Sequence, residues 1–121
     1  MKTKTFYEWD LETYSPATDD VIDHDHDDKV APLLRCLESW QTPDDPSHKY
    51  RIVLVRDVWE VDSCGEPYDR IERLWAYVQH NELPAHFSDA GIGGLQTTAT
   101  KVPKRFVSEL KAASKGCTVS C

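Results

Sequence analysis

"TFYEWDLETYSPATDDVIDHDHDDK", residues 5–29, decides how this chain is read. Its first ten residues alternate, with Tyr7, Trp9 and Leu11 on one side and Glu8, Asp10 and Glu12 on the other. Period two marks a β-strand with one apolar and one polar face. "SPATDD" supplies turn residues, and Val21 and Ile22 open a second strand that runs into four more aspartates and two histidines. A β-hairpin is the economical reading of the whole segment.

The period changes at residue 30. Val30, Leu33, Leu34, Leu37 and Trp40 fall on one face of a helix, and Asp27 or Asp28 is placed to cap its start. Pro32 confines that start to residues 28–31, because proline is tolerated only in a first helical turn. "YRIVLVRDVWEV" (residues 50–61) is β-branched and aromatic, and long enough for a central strand. "RIERLWAYVQ" (residues 70–79) alternates again, with Leu74, Ala76 and Val78 opposed to Ile71, Trp75 and Tyr77. Both of its faces are partly apolar, which predicts cover on both sides. Residues 80–101, with Gly91, Gly93 and Gly94, show no sustained period and are read as a long loop. Helical spacing returns at Phe106, Val107, Leu110 and Ala113, with Pro103 at the start and Gly116 as the stop. The expected fold is α+β in the order β-β-α-β-β-loop-α, an antiparallel four-stranded sheet with two helices on one face. One domain is expected over residues 1–115, with residues 116–121 as a flexible tail.

The net charge of −7 is unevenly spread: residues 1–48 carry −8, residues 49–100 carry −3 and residues 101–121 carry +4. That polarity steers partners of opposite sign and does not choose the fold. No apolar run approaches the roughly 20 residues of a membrane helix, and "MKTKTFYEWD" lacks the apolar core of a secretory signal, so the expected location is the cytoplasm. Cys36, Cys64, Cys117 and Cys121 do not have the spacing of a dense disulfide framework. No G-x-S-x-G elbow, phosphate loop or cysteine-protease signature is present, and the chain is expected not to be an enzyme.

Three chemistries fit residues 19–28. The first is a solvated strand end running into a helix cap, where aspartates suit turns and edge strands. The second is an electrostatic partner surface. Asp19, Asp20, Asp23, Asp25, Asp27 and Asp28, together with Glu8, Asp10 and Glu12 on the neighbouring strand, would form one negative face. Such a face suits the basic surface of a nucleic-acid-handling protein complex, as a mimic of DNA charge, and would weaken in salt. Direct nucleic-acid binding runs against the net charge. The third is a metal site, with zinc the leading ion, built from His24, His26 and a neighbouring Asp. Residues two apart on a strand face the same way. "HDHDD" resembles the opening of the metallo-β-lactamase motif, although Lys29 stands where that family has its next histidine.

"YEWDLETYSPATDDVIDHDHDD", "RLWAYVQHNELPAHFSDA" and "KVPKRF" together resemble small acidic accessory proteins carried by phages and other mobile elements. That resemblance implies a non-enzymatic inhibitor of host machinery, of the anti-CRISPR or other anti-defence type. It carries over no site residue and implies no cofactor.

Overall fold

The computed structural model describes residues 2–39, 47–89 and 97–115. Six strands and two helices follow in the order β1 (Thr3–Tyr14), β2 (Val21–Asp27), α1 (Val30–Ser39), β3 (Lys49–Val61), β4 (Pro67–Tyr77), β5 (His86–Ser88), β6 (Thr97–Lys101) and α2 (Lys104–Lys115). One sheet contains all six strands, in the order β2-β1-β3-β4-β5-β6, and every pairing is antiparallel. The α+β class and both helices match the sequence reading, but the sheet has six strands rather than four. The two additional strands lie inside the segment expected to be a loop. β5 is three residues long and pairs with β4 only at Trp75–Ser88. So short a strand displays no period, and Phe87, fully buried, is what ties it to the core.

The core lies between the sheet and the helices. Trp9 and Leu11 of β1, Ile52 and Leu54 of β3, and Leu74 and Ala76 of β4 form the sheet's apolar side. Val30, Leu33 and Leu34 of α1 and Phe106 and Leu110 of α2 close over them, so both helices cover one face. Burying each such aliphatic or aromatic side chain contributes about 1.5–3 kcal/mol. Trp9 meets Phe106 edge-on at 6.0 Å, and Tyr7 lies 4.8 Å from the same ring. Trp40, expected on the apolar face of α1, and the tail at 116–121 lie outside the described residues, as do Gly91, Gly93 and Gly94.

Helix α1 starts within the expected window, with Pro32 in its first turn. Its entry is tied twice: the Lys29 amide donates to Asp27 Oδ1 at 2.9 Å, and the Val30 amide donates to Glu109 Oε2 of α2 at 2.7 Å. The second bond is a cap supplied across 79 positions of sequence. The β3–β4 turn is organised by Asp62, whose carboxylate accepts the Cys64 and Glu66 amides, while Gly65 takes φ +84°. Among the described residues no helix is long and apolar enough to cross a membrane.

Candidate functional site

Residues that face each other across an antiparallel pair share a side of the sheet. The register therefore assigns each carboxylate singled out in the sequence. On β1, Glu8 faces Val55 of β3. Asp10 lies between Val53 and His26, and Glu12 lies between Arg51 and His24. These three acids point away from the helices, as the alternation predicts. On β2, Asp23, Asp25 and Asp27 face Thr13, Leu11 and Trp9, which places them on the helix side. Asp19 and Asp20 lie in the β1–β2 turn and Asp28 precedes α1. The nine carboxylates do not form the single wet face expected from the sequence.

The cause is one residue. Tyr14 pairs with Val21 but Thr13 pairs with Asp23, so Ile22 is an extra residue, a β-bulge. A regular ladder continuing from Tyr14–Val21, with Ile22 paired to Thr13, would set Asp23, Asp25 and Asp27 directly opposite Glu12, Asp10 and Glu8. Like charges directly opposed across a ladder are destabilising. The bulge flips the parity and sets His24 and His26 against Glu12 and Asp10 instead.

Two of the three β1 acids are not solvated either. Asp10 and Glu12 are each 8 % exposed and Asp57 of β3 is 7 % exposed. Arg51 of β3, itself buried, donates from Nε to Glu12 Oε1 and from Nη1 to Asp19 Oδ1, both at 2.7 Å. Its guanidinium carbon sits 4.2 Å from the Tyr14 ring centroid and 4.8 Å from that of Tyr77. A cation held between two rings and two carboxylates is among the stronger arrangements a protein makes. Burial pulls the Arg51 guanidinium down, but its bonds to Asp19 and Glu12 outweigh that and raise it. Arg73 of β4 grips Asp57 through two bonds, at 2.8 and 3.0 Å, and lies 3.6 Å from Glu8.

Asp10 is the exception in this row. Its Oδ1 is buried with no hydrogen-bond partner among the described residues. Burial first, then the charges of Glu8 and Glu12, push its carboxyl up from 3.8 to about 7, against the pull of Arg73. A hydrogen bond with Glu8 adds to the rise. Asp10 thus holds a proton where an ordinary carboxyl has lost it. Burial likewise raises the Tyr77 hydroxyl, which Arg51 opposes.

Strand β2 is the contrasting surface. It forms one edge of the sheet and pairs with β1 alone. Residues 19–26 are exposed, including Val21 at 45 % and Ile22 at 54 %. Asp20, Asp23, Asp25, Asp27 and Asp28 have no ion-pair partner among the described residues. His24 and His26 face the same way, as their spacing predicts, with ring centroids 6.4 Å apart. Among the described residues no three His, Cys, Asp or Glu side chains converge in a way that would hold a metal ion, so the zinc reading gains no ligand set.

Reading the residues in sequence missed Arg51, Arg73 and Asp57. The available signal was an arginine and an aspartate flanking the apolar run of β3, since a charge in a central strand requires a partner. Compared with family models, curated proteins and solved structures, the chain matches none.

Proposed function

We propose that this protein is a non-enzymatic binding module that takes up a basic, extended segment of a partner protein along the outer edge of β2. The observation that carries the reading is an exposed edge strand whose carboxylates have no cation of their own among the described residues. An incoming strand would pair with the outward backbone groups of that edge, displacing the Asp23 carboxylate from the His24 amide it now accepts, the β-augmentation mode of peptide recognition. Asp23, Asp25 and Asp27 recur at intervals of roughly 7 Å along one face of β2, the spacing of alternate side chains on any strand. Lysines or arginines at alternate positions of the segment would meet them in register. Val21 and Ile22 offer apolar contact at the start of the strand. The same carboxylates repel a second copy of the chain, so the edge discriminates against self-pairing.

A single row of acids suits a peptide strand better than the broad two-strand face that imitation of duplex DNA would use. Nucleic-acid-handling proteins carry basic extended segments, and occupying one would inhibit its owner. That outcome agrees with the function implied by the resemblance to mobile-element accessory proteins.

The test uses a fluorescent peptide alternating Lys with Thr, read by anisotropy at low and high salt. The wild type should bind it, more weakly as salt rises. The variant Asp23→Asn, Asp25→Asn, Asp27→Asn should lose at least about tenfold in affinity, or 1.4 kcal/mol. Equal binding by the triple variant overturns the proposal.

A further inference from the structure

A separate cleft of about 550 Å³ opens where β2 ends. β2 accompanies β1 only from Trp9 to Tyr14, so residues 3–8 of β1 run on without a neighbour on that side. The gap is bounded by Phe6 and Tyr7 of β1, Lys29 before α1, and Arg105, Phe106 and Glu109 of α2. Its volume lies within the roughly 300–1,000 Å³ of small-molecule sites.

The chemistry of the walls is specific. The guanidinium of Arg105 lies 4.5 Å from the Phe106 ring centroid and 5.4 Å from that of Tyr7. Two rings thus flank this exposed guanidinium, and none of its N–H groups has an acceptor among the described residues. Lys29 also has no ion-pair partner among them. Of the two acids at the cleft, Glu109 is engaged by the Val30 amide. Asp28 is the other. A guanidinium with a free N–H fork matches a carboxylate or phosphate bidentately. Phe6 lines the cleft from the other side of β1, where Lys4 lies over its ring, so Tyr7 is the strand's ring on the Arg105 side.

We infer that this cleft binds a small molecule that carries an oxyanion, carboxylate or phosphate, on a flat apolar body. The Arg105 fork takes the oxyanion, Lys29 neutralises the remaining charge, and the body lies along the open edge of β1 beside Tyr7. The site is independent of the β2 edge.

The experiment is a ¹H–¹⁵N NMR titration of the full chain with four probes: phenyl phosphate, benzoate, benzyl alcohol and inorganic phosphate. Saturable shifts of the Arg105 side-chain Nε–H and of the Lys29 and Phe106 amides are expected with phenyl phosphate, with benzoate, or with both. The two aromatic anions separate phosphate from carboxylate preference. Benzyl alcohol and inorganic phosphate should each bind at least about tenfold more weakly, because each offers half of the recognition. Arg105→Gln should abolish saturation, and Lys29→Gln, which leaves the ring stack intact, should weaken binding severalfold. Dispersed spectra of both variants establish that they fold. No saturation up to about 10 mM of either aromatic anion, or unchanged binding by both folded variants, overturns the inference. Inorganic phosphate binding as tightly as phenyl phosphate overturns the assignment of the apolar body.

Discussion

Replacing Asp10 by Asn should change how stability depends on pH, with a sign fixed by the structure. The native carboxyl keeps its proton to about pH 7, whereas in the unfolded chain it loses it near 3.8. Between those values the folded protein binds more protons than the unfolded one, so stability falls as pH rises. The loss begins near pH 4 and is complete above about pH 7. A displacement of about 3 units would amount to about 4 kcal/mol at 1.36 kcal/mol per unit. Water reaching the half-buried Glu8 screens the pair, so roughly 2–4 kcal/mol is expected. Asn matches the neutral carboxyl in size and does not titrate, and its amide can donate to Glu8 in place of the shared proton. Asp10→Asn should therefore gain on the wild type progressively from pH 4 to pH 8. Urea denaturation of both proteins across that range measures the gain. The contributions of titrating groups that do not interact with Asp10 cancel in the difference. A stability difference that stays constant within about 0.5 kcal/mol, the usual scatter of such comparisons, would refute the account of Asp10.

Arg51→Met should cost roughly 3–5 kcal/mol in urea denaturation, because it leaves Glu12 buried without its cation. The double variant Arg51→Met, Glu12→Gln should recover part of that loss. Deleting Ile22 removes the bulge but keeps Asp23, Asp25 and Asp27 opposite Thr13, Leu11 and Trp9, so amide exchange should show protection retained at residues 9–13 and throughout β2, and its loss there would refute the bulge. Gly65→Ala should cost about 1 kcal/mol, read as a lower melting temperature. Its φ of +84° disfavours a side chain although nothing stands within 4 Å of an added Cβ. Glu109→Ala should cost about 1 kcal/mol through loss of the α1 cap, and a greater rise in α1 amide exchange than in α2 is its signature.

The periodicity of the chain by itself determined that β1, β3 and β4 are strands, that α1 and α2 are helices, and which side of each strand is apolar. These are local properties: alternation and 3.6-residue spacing follow from backbone geometry wherever the element sits. β5 and β6 were not legible, because strands of three and five residues owe their existence to neighbours already in place. The fate of the acids was equally hidden. Alternation put Glu8, Asp10 and Glu12 together, and put Asp23, Asp25 and Asp27 together, but only the bulge at Ile22 decided that the two sets lie on opposite sides. Whether each set met water or arginine depended on β3 and β4, roughly 40 to 65 positions further on, which bring Arg51 and Arg73 to the β1 row and leave β2 at the edge. A residue's side of a strand is set by its own chain; what stands opposite it is set by register and strand order, and those are fixed only when the sheet assembles.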